Sequence, residues 1–291
     1  MASGVKRERS DGFDYDYEAV LLDIEGTTTP ISFVKDILFP YAEKNVKVFL
    51  ERNWGTTQCT EDIEALRNQA KKDKHIMEGV VSIPDLDDEN QSSDDKNGVD
   101  SSRETVIDAA VKNVLCQMSS DRKTTALKQL QGHIWKEAYD DGKIKGDIFD
   151  DVTPAFKQWK SKDVKIYIYS SGSVAAQKLL FGNSKFGDLL QYINGHFDTN
   201  IGAKMESNSY EKIAEEMKMK PSSILFVTDV IGEAKAALQA GFKTAVSVRP
   251  GNADLTEADK KKFTTISTFD ELFHETATKD SPRIKKAKPD V

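Results

Sequence analysis

Ala19-Val20-Leu21-Leu22-Asp23-Ile24-Glu25-Gly26-Thr27-Thr28 decides how the rest of this chain is read. Four consecutive apolar residues suit a short core strand, and Gly26 breaks it. Asp23 and Glu25 are two apart, so an extended backbone puts both side chains on one side. Two converging carboxylates repel each other unless a cation or a proton stands between them. In open α/β sheets the carboxyl ends of strands are also where ligands bind. The pattern points to a metal-assisted reaction with a carboxylate nucleophile. A turn capped by aspartate before Thr27 and Thr28 is the plainer alternative.

Outward from this stretch the periodicity changes twice. Phe33-Val34, Ile37-Leu38, Tyr41 and Val46 to Leu50 recur at helical spacing, with Pro40 as a break or kink. Glu61 to Lys74, Val106 to Met118 and Thr124 to Ala138 read as further helices. Residues 82–103 are rich in Asp, Ser and Asn and read as an exposed loop. Its acids Asp85, Asp87, Asp88 and Glu89 lack the Gly and terminal Glu of a calcium-binding loop. From residue 150 strands and helices alternate. Pro154 to Lys160, Val174 to Phe181, Tyr210 to Met217 and Glu233 to Ala240 suit helices. Val164 to Tyr169, Ile224 to Val227 and Thr244 to Val248 suit strands.

This order predicts an α/β fold: a doubly wound, Rossmann-like parallel-sheet core with a helical cap inserted after the first strand. The expected divisions are a disordered tail over 1–18, a core over 19–30 and 148–275, a cap over 31–147, and a basic tail over 276–291. Of 291 residues, 38% are hydrophobic and 31% charged, enough for a buried core. The formal charge of -7 argues against nucleic-acid binding. No apolar run reaches the length of a membrane span, and residues 1–10 lack the apolar stretch of a signal peptide. Two cysteines, Cys59 and Cys116, suit a reducing compartment rather than a disulfide scaffold. The expected location is cytoplasmic; the run Arg283, Lys285, Lys286, Lys288 reads first as a solvated tail and second as a nuclear signal.

Three predicted strands end alike. Asp23 and Glu25 follow the first, Ser170 and Ser171 the second, Asp229 the third, and a doubly wound sheet brings such ends to one crevice. Phosphate chemistry there requires a nucleophile, a divalent cation on hard oxygens, hydrogen-bond donors and a countercharge. Asp23 can form an acyl phosphate. Asp23, the neighbourhood of Glu25, and Asp229 can supply oxygens for Mg²⁺. Ser170 and Ser171 supply hydroxyls, and Lys204, before the Tyr210 helix, supplies the cation. Each has a plainer role: the serines and Asp229 as helix caps, Lys204 as a solvated lysine. The four histidines have no ligand spacing, which argues against zinc. His133 and Trp135 suit packing on a cap helix, with a substrate contact by His133 or Lys128 as the lesser reading, and Arg249-Pro250-Gly251-Asn252 suits a turn, with an Arg249–phosphate contact as the lesser reading.

Asp-x-Glu-Gly-Thr-Thr, strand-Ser-Ser-Gly, a lone Lys and strand-Thr-Asp-x-x-x-Glu, in that order, resemble the haloacid-dehalogenase-like phosphatases. Leu22 to Ile31, Phe33 to Tyr41, Lys123 to Gly132, Ile166 to Ser173 and Val248 to Asn252 resemble, more narrowly, the enolase-phosphatases of methionine salvage, over about residues 18 to 273. The resemblance implies enolisation of 2,3-diketo-5-methylthiopentyl-1-phosphate and then Mg²⁺-dependent dephosphorylation through an aspartyl phosphate, giving the acireductone. By position it implies one Mg²⁺ per subunit at Asp23, Glu25 and Asp229, catalysis by Asp23 and Glu25, and substrate contacts from Ser170, Ser171 and Lys204. The partner implied is a small phosphorylated diketone, bound by a monomer. The wider superfamily carries Asp where Glu25 stands, and often a second Asp where Glu233 stands. The longer Glu25 is a candidate for the enolisation step, and Glu233 for an indirect role. A phosphatase for another small phosphometabolite is the alternative function.

Overall fold

A computed structural model describes residues 16–85 and 96–273. Six strands form one parallel sheet: β1 (Ala19–Leu22), β2 (Lys165–Tyr169), β3 (Gly195–Phe197), β4 (Ile224–Thr228), β5 (Lys243–Ser247) and β6 (Thr264–Ile266). Their order is β3-β2-β1-β4-β5-β6. Leu22 at the end of β1 lies opposite Ile168 of β2 and Val227 of β4, so the three strands end almost level. Winding runs outward from β1 through β2 to β3, then returns to β4 on the other side. The reversal falls between β1 and β4, where such a sheet opens a crevice at its carboxyl edge.

All of β1 is buried, as a central parallel strand requires. Its residues alternate between two cores. Val20 and Leu22 face a cluster with Phe156, Trp159 and Phe181, whereas Ala19 and Leu21 face one with Tyr210, Ile213 and Phe242. Period-two alternation on a two-sided layer explains why this short strand carries no polar position.

Between β1 and β2 the chain leaves the sheet. It forms a π-helical turn (Phe33–Leu38), then α1 (Phe39–Asn53), α2 (Thr57–Asp73), α3 (Lys96–Ser119) and α4 (Thr125–Asp140), and returns through α5 (Val152–Ser161) onto the sheet. The four helices enclose their own core, which includes Val46, Leu50, Leu66, Val106, Leu130 and Ile134. Thr56 and Thr124 cap α2 and α4 by accepting from Cys59 N–H and Leu127 N–H. Buried Asp62 accepts from Gln129 and pairs with His133 Nδ1 at 2.7 Å, so His133 serves this helical layer. Pro40 does not interrupt the helical path. It falls in the first turn of α1, where a missing N–H costs little, and Trp135 Nε1 donates to the Leu38 carbonyl at 2.8 Å. The remaining helices are α6 (Val174–Gly182), α7 (Ser207–Met217), α8 (Ile231–Gln239) and α9 (Glu257–Lys262).

Three expectations need correction. The 82–103 loop ends sooner, because α3 starts at Lys96: a polar, Ser-rich segment is carried into helix by the apolar half that follows. The expected tail over 1–18 does not extend to Tyr17, which packs on the core while its hydroxyl accepts from Trp159 Nε1 and donates to the Leu272 carbonyl. β3 and β6 have three residues each, too few for alternation to be visible. Residues 1–15, the acids Asp87, Asp88 and Glu89, and the basic run from Arg283 to Lys288 lie outside the described residues. Asp85 is described, and pairs with Arg67 at 2.9 Å.

Phe156 is fully buried, with ring centroids 6.2 Å from those of Trp159 and Phe181. Phe156→Ala is expected to cost about 3–5 kcal/mol in urea denaturation; a loss below about 1 kcal/mol would place this ring outside the core that carries the sheet.

Candidate active site

Asp23 leaves β1 with its N–H still on the ladder, donating to Val227 O at 2.9 Å. The chain then turns sharply. Ile24 O collects the amides of Thr27, Thr28 and Thr29 at 3.2, 2.9 and 2.9 Å, and Gly26 takes φ +67. Main-chain bonds hold most of this turn, and Asp23 Oδ1 adds to them by accepting from Ile24 N–H at 2.7 Å. A side chain at Gly26 would put Cβ 2.5 Å from Asp229 Oδ2 and 2.6 Å from Asn252 Oδ1. Glycine is required because the turn must press its backbone against the Asp229 carboxylate. Asn252 holds the other side, donating to Gly26 O and Ser247 O at 2.9 and 3.1 Å.

Lys204 is buried at the centre of the site. Its ammonium lies 2.7 Å from Asp23 Oδ1 and 2.8 Å from Glu233 Oε2. The Thr228 hydroxyl stands 2.7 Å from Glu233 Oε2 and 3.2 Å from Asp23 Oδ2. Burial opposes the Lys204 charge, but Asp23 and Glu233 outweigh it and raise its pKa. Burial, then the charge of Asp23, raises Glu233; Lys204 and Thr228 pull the other way. Asp229 is pushed up to about 7, first by burial and then by Asp23 and Glu233. Glu25 is also raised, by burial and then by Asp23, with Lys204 and Lys123 opposing. Four carboxylates thus share one buried ammonium among the described residues.

Ser170 ends β2 and is buried, with its Oγ accepting from Gly172 N–H at 3.2 Å. Ser173, not Ser170 or Ser171, caps α6 through Ala176 N–H, which leaves the first two hydroxyls for other work. A cavity of about 610 Å³ lies between the sheet edge and the helical layer. Glu25, Ser170 and Ser171 line it from one side, and Lys123, Lys128 and Trp135 from the other. Asp23, Lys204 and Asp229 are not on its wall, although Ile24, directly after Asp23, is.

The sequence-derived residues therefore gather as follows. Asp23 and Lys204 form a buried charged centre beside the half-buried Asp229, and Glu25, Ser170 and Ser171 face the adjoining cavity. The strand stops at Leu22, so the turn rather than strand alternation places Glu25. Lys128, for which a substrate contact is the lesser reading of the sequence, reaches across to donate to Ser171 O at 3.0 Å. Arg249 is not poised for phosphate: it makes paired bonds to Asp151 at 3.0 and 2.7 Å and donates to Thr27 O and Ser267 O. Glu233, assigned an indirect role, contacts Lys204 directly. Its place five residues after Thr228 was legible, but its partner was not. Among the described residues no three His, Cys, Asp or Glu side chains converge as a ready-made metal cluster, and no helix is long and apolar enough to cross a membrane.

Comparison with known proteins agrees with this geometry. Residues 17–241 match the haloacid dehalogenase-like hydrolases. The chain is 53% identical over 254 residues to "Enolase-phosphatase E1" of Xenopus tropicalis, covering 87% of this chain and 93% of that one. It is 47% identical over 255 residues to a "Probable bifunctional methylthioribulose-1-phosphate dehydratase/enolase-phosphatase E1" of Oryza sativa subsp. indica, covering 87% of this chain and 46% of that one. Among solved structures, the UTR4 protein of Saccharomyces cerevisiae superposes with a TM-score of 0.64 at 32% identity, covering 87% of this chain and 99% of that one. The chain belongs to the haloacid dehalogenase-like hydrolase family and, within it, to the enolase-phosphatase E1 group.

The charge excess makes stability depend on pH. Asp229, at about 7 in the fold against 3.8 for an ordinary aspartate, keeps a proton that the unfolded chain has lost. Its contribution is complete below the unfolded value and is lost as pH rises through about 7. His196, lowered to about 4 by burial and by Lys178, acts oppositely, but only below 6.5. Metal-free protein is therefore expected to melt at a lower temperature at pH 8 than at pH 6.5, and Asp229→Asn to flatten that slope. A melting temperature that rises across this interval would contradict the assignment.

Proposed function

We propose that the chain is a bifunctional enolase-phosphatase acting on 2,3-diketo-5-methylthiopentyl-1-phosphate in methionine salvage. The observation that carries this reading is the Asp23–Lys204–Glu233 ion cluster, set at the carboxyl edge of the sheet beside the Ser170–Gly172 turn. The cluster adjoins a cavity large enough for a small phosphorylated diketone. The names of the relatives supply the substrate class.

The chemistry follows from the side chains. With Oδ1 held by Lys204, Asp23 presents Oδ2 to phosphorus. A bond forms from Asp23 to phosphorus as the bond to the ester oxygen breaks, giving an acyl phosphate that water then cleaves. Lys204 and the Ser170 and Ser171 hydroxyls oppose the charge that builds on the phosphoryl oxygens. Glu25, whose pKa is raised by burial and then by Asp23, is suited to exchange a proton with the substrate. In the enolisation it accepts the proton from the carbon that bears the phosphate ester, and the electron pair forms the carbon–carbon double bond and leaves an enolate oxygen on the next carbon; in the next step it returns that proton to the departing oxygen, so the product leaves as the enolate.

The donor set fits one Mg²⁺ per subunit. Asp23 and Asp229 are hard carboxylates in a site with surplus negative charge, and the Glu25 segment adjoins them. Mg²⁺ takes one or two carboxylates, with phosphate and water oxygens completing its shell, so a ready-made cluster of three side chains is not required. When bound, the ion would supply positive charge against the transferring phosphoryl group. The proposed site draws on one chain, so its chemistry calls on no second copy. Two free cysteines, Cys59 and Cys116, support a reducing cytoplasm as its location, with the nucleus as a second compartment.

The test is to follow enol absorbance and phosphate release separately. Asp23→Asn is expected to cut phosphate release at least about a thousandfold, corresponding to roughly 4 kcal/mol of barrier. Chelation of Mg²⁺ is expected to stop it reversibly. Glu25→Gln is expected to slow both half-reactions. Unchanged enol formation and phosphate release in Glu25→Gln would remove Glu25 from the mechanism. Sugar phosphates turned over as fast as the diketo phosphate would favour a different small-molecule phosphatase.

A further inference from the structure

The turn that carries Ser170 is pinned by a side chain outside the site's charged cluster. Gln177 of α6 is almost fully buried, and its Nε2 donates to Gly172 O at 2.9 Å and to Phe197 O at 2.8 Å. Phe197 O also accepts from Ser170 N–H at 3.2 Å, so one amide group ties both ends of the Ser170–Gly172 turn to β3. With Nε2 committed to two carbonyls, Oε1 must be the atom that faces His196 Nδ1 at 3.1 Å. An amide oxygen can only accept, so the imidazole must carry its proton on Nδ1. Burial and the neighbouring Lys178 keep this histidine neutral, with its pKa lowered to about 4. The bonds therefore run in one direction: His196 Nδ1–H to Gln177 Oε1, Gln177 Nε2–H to Gly172 O, and Gly172 N–H to Ser170 Oγ at 3.2 Å. Because the Ser170 oxygen already accepts from Gly172, its own O–H is left to donate outward.

We propose that Gln177, oriented by His196, is a positioning residue that directs the Ser170 hydroxyl toward the phosphoryl group. The inference rests on the reading of Ser170 as a phosphoryl donor. Neither Gln177 nor His196 is assigned a contact with the reacting atoms. Their effect passes through the turn, and hydrogen bonds aligned in series strengthen one another.

The probe is the dissociation constant for inorganic phosphate in the presence of Mg²⁺, measured by ³¹P NMR on folded full-length protein checked by circular dichroism. His196→Leu is expected to weaken phosphate binding about three- to tenfold, the range for one hydrogen bond. His196→Asn, whose amide offers a donor at the Nδ1 position, is expected to restore it to within about twofold. In a Ser170→Ala background, His196→Leu is expected to add less than about twofold, a saturation that general loosening of the fold would not produce. Nitrogen-15 spectra should show His196 as the neutral Nδ1–H tautomer at pH 7. If Ser170→Ala weakens phosphate binding but His196→Leu does not, or if the proton is on Nε2, the positioning role is overturned and the proposed function stands. If Ser170→Ala leaves binding unchanged, the donor reading itself fails, and this inference with it. Gln177→Leu is expected to give the largest loss, and the His196 variants carry the test should that protein not fold.

Discussion

A buried ammonium between two buried carboxylates is the constraint on which the site depends. Lys204 stands within 2.8 Å of both Asp23 and Glu233, and removal of ions from water is costly unless they are paired and hydrogen-bonded. The pairing is enforced from several elements. Tyr210 of α7 donates to Lys204 O at 2.7 Å, Ser209 to Ala203 O at 2.8 Å, and Tyr169 of β2 to Gly202 O at 3.1 Å. Gly202, at φ +151, lets its backbone approach Ser209 where any Cβ would fall 2.1 Å from that hydroxyl. The lysine is thus aimed by its main chain before its charge acts, which is the sense in which the site is preorganised.

From this clamp the other parts acquire their roles. In the proposed mechanism Lys204 holds one Asp23 oxygen, and the other, beside the Thr228 hydroxyl at 3.2 Å, attacks phosphorus. Burial, and after it the negative charge in excess of the single ammonium, raises Asp229 and Glu25; the proposed mechanism uses the first for a metal ion and the second for proton transfer. Arg249, bound to Asp151 and beneath the Thr27 carbonyl, is a brace for the nucleophile turn. The helical layer encloses the cavity from above, and Lys128 touches the serine turn across it. In the proposed function the chemistry is divided accordingly: the sheet edge handles phosphate, and the layer above faces the rest of the substrate.

Much of this was legible in the sequence because it depends on local patterns. Ala19 to Leu22 is an unbroken apolar run, and the structure places the strand at those same residues. Ser170, Asp229 and Lys204 stand beside strand or helix boundaries that hydrophobic periodicity marks. What escaped the sequence is relational. Glu233 and Lys204 are joined only because α7, which follows the lysine, packs against α8, which carries the glutamate, and Arg249 finds Asp151 only because α5 returns onto the sheet after the helical insertion. Gln177 reads as an ordinary helix residue until β3, itself only three residues long, brings His196 and Phe197 against it. In each case the signal is a contact between distant segments.

The most direct test is to trap the reacting enzyme at the phosphoryl-acceptor residue. Wild-type protein turning over the diketo phosphate with Mg²⁺ would be quenched with borohydride, which reduces an acyl phosphate to an alcohol, and then mapped by peptide mass spectrometry. The account expects reduction of Asp23 alone, dependent on substrate. Reduction at Glu25 or Asp229 instead, or phosphate released with inverted configuration at phosphorus by direct attack of water, would contradict it.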